Sequence, residues 1–395
     1  MDIVIIAHFI TEFIKNGTSR FVYIAEELAE NHKVELITSR FNHIKKQQRI
    51  DEDYNLKTKI TLLKELPYPK NVCLQRFRSH SYFGKEVSKY LKTRKKPDVI
   101  YCAVPSLDCA YYAAKYAQEN NIKFIIDVQD LWPESFKMIL NIPLFSNLIF
   151  YPMKRKANYI YSCADKIVAV SNTFCDIAKK VNKKNAECVS VFLGTKLENF
   201  DKYAADNKIV RNDDKFVIGY CGTLGHSYDI KCVLDALVIL KQKGYQNISF
   251  WVIGDGPLKD SFENYAIKCS VDVHFYGRVS YDKMCGLLSA CDICVNPIVK
   301  KSVASIINKH ADYAAAGIPV INTQNSDEYI ELINDYKCGI NCSSSNPNEL
   351  SDAILELFKS PSKRRDMGKQ ARILALEKFN KDDTYSNIIN TIVDC

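Results

Sequence analysis

The alternation of apolar runs with helical periods is the feature of this sequence that most constrains its fold. In the first half, runs rich in Ile and Val occur at residues 2–9, 33–39, 98–104, 123–129 and 166–171, and segments with helical spacing separate them. Strands that are apolar on both faces are typical of a parallel sheet that helices cover on each side. The pattern therefore predicts a doubly wound α/β domain.

The same pattern begins again in the second half of the chain. A polar, charged segment at residues 201–214 indicates a linker. Further strands are predicted at residues 216–223, 248–257, 271–280, 291–297 and 318–323. We therefore expect two Rossmann-like domains, residues 1–200 and 215–375, facing each other across a ligand-binding cleft. A last helical segment, residues 376–395, is expected to pack back on the first domain.

Composition indicates an ordinary globular protein in a reducing compartment. The 15 cysteines follow no regular framework, and no signal peptide precedes the first strand. No uninterrupted apolar run reaches the roughly 18 residues that a spanning helix needs. Cys291 and Cys294 form a lone Cys-x-x-Cys inside an apolar run, which indicates buried core rather than a metal site. We expect a cytoplasmic protein.

A basic segment interleaved with aromatic residues covers residues 76–96. Its lysines and arginines are accompanied by a single acid, Glu86. One interpretation is a solvated helix face, and the other is contact with anionic lipid headgroups or an anionic acceptor. No motif for nucleic acid accompanies the charge. We expect peripheral attachment to the inner face of the cell membrane. The apolar residues 138–153 are expected to pack in the core, and an amphipathic surface element that touches a membrane is the alternative.

Glycines follow three predicted strands of the second half, in "GYCGTLGHSYD", "VIGDGP" and "FYGRVS". At the carboxyl end of a parallel strand, a glycine lets the backbone approach a ligand, and the next helix offers free amides to phosphate. The fork of donors on the arginine in the third turn could also pair with a phosphate. The candidate donor-binding residues of these turns are Gly222, Gly225, Gly254, Gly256, Gly277 and Arg278.

The stretch "NKHADYAAAGIP" places a carboxylate on a helix of small residues. Asn308 and Lys309 lie in its first turns, and Asp312 lies one turn beyond Asn308. Gly317 suits the left-handed position after the helix, and Pro319 prevents continuation. The helix start suits a pyrophosphate, and Asp312 suits the hydroxyl groups of a ribose. A solvent-facing aspartate is the alternative.

Together these segments carry a family resemblance. The order "GYCGT", "GDGP", "FYGRV", "ACDICVNP" and "NKHADYAAAGIPVINT" resembles the donor-binding half of the family 4 glycosyltransferases of GT-B fold. Those enzymes use a nucleotide sugar and retain the anomeric configuration. The first half, with "KNGTSRFVYIAEELAENHKVELITS", "PDVIYCAVPS" and "IIDVQDLWPESF", resembles the subgroup that builds capsules, O-antigens and exopolysaccharides.

The resemblance implies roles for residues of the second half. The Glu-x7-Glu signature of the family falls on Ala304 and Asp312, so that the ribose-binding acid is present as Asp312 and the first acid is absent. The usual Arg and Lys after the first strand of this half are also missing. The resemblance therefore implies Lys309, with Arg278 as second choice, as the cation that neutralises the departing diphosphate.

It also implies roles for residues of the first half. Gly17 would lie beneath the donor phosphates, assisted by Ser19 and Arg20. Asp130 is the candidate polar or basic group on the acceptor side, with Glu134 as a weaker choice. An N-cap or purely structural role for Asp130 is the open alternative.

The sequence thus predicts a retaining hexosyl- or N-acetylhexosaminyltransferase with a UDP-sugar as the favoured donor and a glycan or polyprenyl-linked acceptor. No metal and no further cofactor is expected, because the acidic residues 51–53 lie in a polar loop and GT-B enzymes use helix ends and cations. Two alternatives remain open: an epimerase acting on a nucleotide sugar, and a non-catalytic subunit that supports a transferase.

Overall fold

The computed structural model describes residues 1–14, 19–71, 73–139, 146–211, 214–300 and 306–394. The chain separates into two compact units, and each contains one parallel sheet. The first unit comprises Met1–Val191 with Tyr385–Cys395, and the second comprises Phe192–Thr384. The predicted α/β class with two doubly wound halves is confirmed.

The first unit is built on a seven-stranded sheet with the order β5-β2-β1-β6-β7-β8-β9, as far as the described residues go. Its strands pair in parallel throughout the described residues, and a separate antiparallel pair joins β3 to β4. The strands are β1 Asp2–Ile6, β2 Lys33–Ser39, β3 Phe41–Asn42, β4 Gln47–Gln48, β5 Lys59–Leu63, β6 Val99–Val104, β7 Lys123–Val128, β8 Lys166–Ala169 and β9 Glu187–Ser190.

Helices follow most strands of this sheet, as the alternating pattern predicts. They are α1 Arg20–Ala29, α2 Leu74–Thr93, α3 Leu107–Asn120, α4 Glu134–Ile139, α5 Ser146–Cys163 and α6 Asn172–Lys179. The sequence did not predict β5 and β9, which form the two edges of the sheet.

The second unit is built on a six-stranded parallel sheet with the order β12-β11-β10-β13-β14-β15 within the described ranges. Its strands are β10 Phe216–Cys221, β11 Ile248–Ile253, β12 Val273–Gly277, β13 Ile293–Asn296, β14 Val320–Asn322 and β15 Gly339–Asn341. Its helices are α7 Leu197–Asp206, α8 Ile230–Gln242, α9 Lys259–Cys269, α10 Tyr281–Ser289, α11 Asn308–Ala315, α12 Asp327–Tyr336, α13 Pro347–Lys359, α14 Pro361–Leu374 and α15 Lys381–Thr384.

Both faces of the second sheet are covered. Along β10, Val217 and Cys221 pack into one apolar cluster, whereas Ile218 and Tyr220 pack into another. Because successive side chains of a strand point to opposite faces, this division places a separate core on each side of the sheet. The result explains why the strands read as continuous apolar runs.

The boundary between the units differs from the predicted linker. Residues 201–206 belong to helix α7, and the second unit already begins at Phe192. The last helix, α16 at Ser386–Val393, belongs to the first unit and contacts α1.

Two observations concern the cysteines. Cys291 and Cys294 are buried with free thiols, as the sequence predicts. Cys175 of α6 and Cys188 of β9 instead form a disulfide, so the expectation of wholly reduced thiols does not hold at this pair.

The sequence predicted the exposure of some surface segments correctly and of others only in part. Residues 51–53 are exposed, and Asp51 pairs with Arg40 at 2.8 Å. Of the stretch 138–153, expected to pack in the core, Phe150 is buried, but Leu148, Ile149 and Tyr151 are exposed, and residues 140–145 lie outside the described residues. In the parts of the chain that the structure describes, no helix combines the length and the apolar character that crossing a membrane requires.

A buried ion pair ties α1 of the first unit to its central sheet. Asp127 of β7 is 0% exposed and accepts hydrogen bonds from Arg20 Nε at 2.8 Å and from the Tyr101 hydroxyl at 2.5 Å. Arg20 Nη1 also donates to the carbonyl of Val191. A buried charge of this kind is tolerated because its partner and its hydrogen bonds replace water.

Removing one partner should therefore be costly. We expect Asp127→Ala to lower the free energy of unfolding of the first unit by about 3–5 kcal/mol, since Arg20 is left buried without its carboxylate. Urea unfolding followed by Trp132 fluorescence, in a Trp251→Phe background, measures this change. Arg20→Met combined with Asp127→Leu removes both charges and should recover much of the loss. An Asp127→Ala variant with an unchanged midpoint would refute the structural role of the pair.

Candidate active site

In the second unit, the loops after β10 and β11 lie against each other at the carboxyl edge of the sheet. Gly222 N donates to Ile253 O at 2.9 Å, and Leu224 N donates to Asp255 O at 2.9 Å. A Cβ atom at Gly254 would lie 1.8 Å from the Gly222 carbonyl oxygen. The neighbouring backbone therefore requires glycine here, whether or not a ligand is bound.

Gly256 has the same explanation. Its added Cβ atom would lie 2.4 Å from the carbonyl oxygen of Leu224. The sequence predicted that these two glycines contact a donor. In the structure they allow the loops after β10 and β11 to pack closely, and this packing determines the shape of the candidate site. Gly222 has a φ of +137°, and a Cβ atom there would lie 3.0 Å from the Nζ atom of Lys309. Gly222 therefore makes room for this ammonium group.

Among the predicted donor residues, Lys309 has the surroundings that most constrain what the site can bind. Its side chain rises from the first turn of α11, is 6% exposed, and lies between the rings of Tyr220 and Tyr228. The Nζ atom is 4.0 Å from each ring centroid. It has no hydrogen-bond partner within the described part of the chain. Burial lowers the pKa of Lys309 to about 7.

This arrangement keeps a cation without a counter-charge. The faces of the two tyrosine rings attract the ammonium group, but they compensate only part of the cost of its burial. A phosphate near Gly222 would supply the missing anion. Because Nζ is covered, direct contact requires the flexible lysine side chain to turn out from between the rings.

Asp312 lies one turn further along α11 and is partly buried. Its Oδ1 atom accepts a hydrogen bond from the Tyr281 hydroxyl at 2.8 Å, and the Thr195 hydroxyl lies 2.5 Å from that of Tyr281. Burial raises the pKa of Asp312 to about 6, although the bond from Tyr281 and the charge of Lys381 oppose the shift. The second carboxylate oxygen is the atom with which a ribose could bond.

A ladder of amides supports the start of α11. Asn296, Asn322 and Asn341 are aligned in register on β13, β14 and β15. Asn296 Nδ2 donates to Asn322 Oδ1 at 2.8 Å, and Asn322 Nδ2 donates to Asn341 Oδ1 at 2.9 Å. His310 of α11 lies 3.2 Å from Asn296 Nδ2 and stacks on Tyr329 at 3.5 Å. The ladder thereby anchors the turn that carries Lys309.

The structure brings together only some of the predicted donor residues. Asn308 and Arg278 are exposed, and Arg278 follows the edge strand β12. Gly277 has a φ of +68°, so its glycine is explained by a left-handed turn. Gly225 lies in the loop after β10, with only the Thr223 methyl group near an added Cβ atom.

Gly17 and Ala304 lie outside the described residues. The first-half residues expected beside Gly17 have structural roles where the structure describes them. Ser19 is the N-cap of α1, and Arg20 is buried against Asp127 rather than near a phosphate.

The contacts of Asp130 favour the structural alternative for this residue. Oδ1 accepts hydrogen bonds from Leu131 N at 2.8 Å and from the Ser135 hydroxyl at 2.5 Å, while Oδ2 accepts from Trp132 Nε1 at 3.0 Å. With both oxygens engaged, the carboxylate holds the loop after β7 and is poorly placed to take a proton. Glu134 forms an ion pair with Lys154 at 2.6 Å.

In the first unit, His8, Glu65 and His80 form a buried group that could hold a metal ion, with ligand atoms within 4.8 Å of one another. His8 Nε2 lies 2.8 Å from Glu65 Oε2, and both Ser39 and Ser79 donate to this carboxylate. Arg76 Nε lies 3.3 Å from His80 Nε2. The guanidinium charge opposes a divalent cation, and the carboxylate already has three donors.

The sequence did not point to Tyr220, Tyr228 or Tyr281. Tyr220 and Tyr228 occur in apolar or turn segments, where a tyrosine signals packing. Tyr220 lies on β10, Tyr228 lies in the loop after it, and Lys309 lies on α11. Their contact joins segments that are far apart in the sequence, so no local pattern predicts it.

Two families match the chain. Residues 16–192 match the family described as Glycosyltransferase Family 4, and residues 201–374 match Glycosyl transferases group 1. The two matches together cover most of the chain, one in each half.

Two individual proteins are also similar to the chain in sequence. An uncharacterized glycosyltransferase of Methanocaldococcus jannaschii is 24% identical over 200 residues, which are 48% of this chain and 54% of that protein. The chain thus spans about half the length of this relative. The capsular polysaccharide biosynthesis glycosyltransferase CapM of Staphylococcus aureus is 22% identical over 311 residues, 75% of this chain and 76% of that protein.

Solved structures agree on the fold. HepE of Anabaena, in complex with UDP, superposes with a TM-score of 0.72 at 15% identity, covering 100% of both chains. WaaG, a glycosyltransferase involved in lipopolysaccharide biosynthesis, superposes with a TM-score of 0.70 at 15% identity, also over 100% of both chains. With a family match in each half and this fold throughout, the chain belongs to the family 4 glycosyltransferases and has the GT-B fold.

Proposed function

We propose that this glycosyltransferase moves a sugar from a nucleoside diphosphate sugar, with UDP as the favoured nucleotide, to a lipid-linked glycan. The observation that carries the donor part is the buried ammonium group of Lys309, which lies under Gly222 without an anionic partner. HepE binds UDP and UDP-glucose, which supports UDP as the nucleotide.

In the proposed reaction, Lys309 neutralises charge on the departing diphosphate, and the amides at the start of α11 add to this stabilisation. Asp312 positions the ribose. The departing phosphate takes the proton of the acceptor hydroxyl on the same face of the sugar, so the reaction retains the anomeric configuration. No side-chain base and no metal are needed, which agrees with the engaged carboxylate of Asp130.

We propose an acceptor used in bacterial surface polysaccharide synthesis, at the inner face of the cell membrane. Two similar proteins support this proposal, since CapM acts in capsular polysaccharide biosynthesis and WaaG is involved in lipopolysaccharide biosynthesis. Exposed apolar residues on α2 and α5 of the first unit, with exposed basic residues on α2, support contact with lipid.

The reaction is tested by the release of nucleoside diphosphate from a panel of donor sugars, with and without a polyprenyl-diphosphate-linked glycan. We expect release that depends on the acceptor. Asp312→Ala should weaken donor binding about tenfold to a hundredfold, as expected for one charge-assisted contact. Asp335→Ala, an exposed change on α12, is the matched control.

A changed donor sugar without acceptor would favour the epimerase alternative. Absence of release with every donor, together with unaltered binding in Asp312→Ala, would refute the proposed reaction.

The pH dependence of donor binding follows from the lowered pKa of Lys309. A diphosphate binds the protonated lysine, but above about pH 7 the free protein holds a neutral amine. Binding must then include the uptake of a proton, so UDP affinity should fall by up to about tenfold per pH unit between about pH 7 and about pH 9. The terminal phosphate of UDP is already ionised in this range.

Calorimetric titration of UDP measures this effect. Lys309→Arg keeps its charge throughout the range and should show a flat profile, whereas Lys309→Met should bind weakly at every pH. An equally steep profile in wild type and Lys309→Arg would assign the titration to another group.

An apolar surface on the first unit is the proposed membrane contact. Leu74 and Phe77 of α2 are exposed, and so are Leu148, Ile149 and Tyr151 of α5. The ring of Phe136 links the two helices, with its centroid 5.6 Å from that of Phe77 and 6.4 Å from that of Phe150. Exposed basic residues continue along α2 and just beyond it, namely Arg78, Lys85, Lys92, Lys95 and Lys96.

Not all of the basic segment is free to meet lipid. Arg94 forms ion pairs with Asp2 at 2.7 Å and Glu35 at 3.0 Å, and Lys89 pairs with Glu86 at 2.6 Å. The exposed apolar residues therefore carry more of the proposed contact than the sequence suggests.

Co-sedimentation with phosphatidylcholine vesicles, with and without phosphatidylglycerol, tests this surface. We expect binding that increases with the anionic lipid and falls severalfold in Leu74→Ser with Leu148→Ser. Ile267→Ser is the matched control, since Ile267 is as exposed as Leu148, at 74%, but lies in the second unit. Equal binding of all three proteins would remove the proposal.

A further inference from the structure

Two cations of the first unit converge at the start of α2. Arg76 Nη1 donates to the carbonyl oxygen of Asn71 at 2.7 Å, and Lys46 Nζ donates to the Asn71 side chain. Lys46 also lies 4.4 Å from the centroid of the Tyr68 ring, and the Tyr68 hydroxyl contacts Nδ1 of His43. Asn71 thus accepts hydrogen bonds from both cations and brings them close together.

These cations are only weakly compensated. Burial lowers the pKa of both Arg76 and Lys46, and the charge of Arg76 lowers that of Lys46 further. The carboxylate that acts on both is Glu65, which is buried and already bonded to His8, Ser39 and Ser79.

The neighbouring imidazoles add no negative charge. Burial together with the cationic neighbours lowers the pKa of His43 to about 3 and that of His80 well below its usual value, so both are neutral near pH 7.

The helix start adds to the positive potential. The N-cap residue of α2, Cys73, makes no side-chain capping bond, and the first turn contains no acidic residue. The free amides and the positive end of the helix dipole therefore lie beside Arg76. Behind it, Arg76 lies over the rings of Phe9 and Trp132, at 5.7 and 5.2 Å, which holds the guanidinium group in place.

We propose that Arg76, Lys46 and the first turn of α2 form a binding site for a phosphoryl oxyanion in the first unit. Arg76 has five N–H groups and Lys46 has three, so both keep donors beyond their contacts with Asn71 and Tyr68. An oxyanion between them completes the charge balance that Glu65 leaves open. The residues of this site belong to the first unit, whereas the donor residues around Lys309 belong to the second.

The site is tested with the full-length protein and inorganic pyrophosphate, in excess UDP to fill the donor site. We expect calorimetry to detect pyrophosphate binding in wild type that weakens about tenfold for each lost cation, as for a charge-assisted contact. The variants are Arg76→Gln, Lys46→Gln and the two combined. Arg78→Gln is the matched control, because it removes an exposed charge of the same helix.

Two results would overturn the proposal. One is pyrophosphate binding that is absent in wild type or unchanged in the combined variant. The other is an equal loss in Arg78→Gln, which would indicate a general effect of charge. Circular dichroism of each variant confirms that α2 still folds.

The phosphoryl group could belong to a lipid headgroup or to a soluble sugar phosphate. Titrations with phosphatidic acid in phosphatidylcholine vesicles and with glucose 1-phosphate distinguish these sources. Loss of vesicle binding alone in the combined variant identifies the lipid, loss of both identifies a shared oxyanion site, and loss of neither refutes the site.

That this oxyanion is part of the sugar acceptor rests on the proposed function. The binding test does not depend on it. A protein that fails to bind UDP, yet loses pyrophosphate affinity in the combined variant, would refute the proposed donor site and retain this one.

Discussion

The close backbone contact between the loops after β10 and β11 is the constraint on which the second unit depends. Gly254 and Gly256 have no side chains because the carbonyl groups of Gly222 and Leu224 occupy that space. This contact fixes the end of β10, and the end of β10 in turn fixes the space into which Lys309 projects. The position of the Lys309 ammonium group between the tyrosine rings depends on these two loops, and so does the proposed donor site. The loops cannot separate without losing their hydrogen bonds.

How well each strand was predicted from the sequence follows its position in the sheet. Interior strands such as β1 and β10 are buried on both faces and therefore appear as continuous apolar runs. In the two parallel sheets, the missed strands β5, β9 and β15 lie at edges and are only partly buried, although the edge strand β12 was predicted. An edge strand needs fewer apolar residues, so its sequence differs little from that of a loop. The linker was misplaced for a related reason, because α7 packs with charged residues on its outer face.

The residues of the candidate site could be predicted where they lie close to one another in the sequence. Lys309 and Asp312 lie within one turn of each other, and the glycines after β10 and β11 stand at strand ends. Contacts between distant segments could not be read in this way. Asp130 shows that even near neighbours can escape prediction. The sequence left its structural role open, because its bonds to Trp132 and Ser135 depend on how the loop turns. Arg76 was visible as part of the basic segment 76–96, whereas its convergence with Lys46 on Asn71 required the fold.

The aligned amides of Asn296, Asn322 and Asn341 have a consequence for folding. Strands β13, β14 and β15 contain only three or four residues each, and short apolar strands can pair in several registers at similar cost. A shift by one residue would separate the buried amides of Asn296 and Asn322 from their cross-strand partners, at a cost of about 1–3 kcal/mol for each polar group left without a partner. The ladder therefore discriminates against misaligned sheets, so these polar residues make one arrangement of the strands much more favourable than its neighbours.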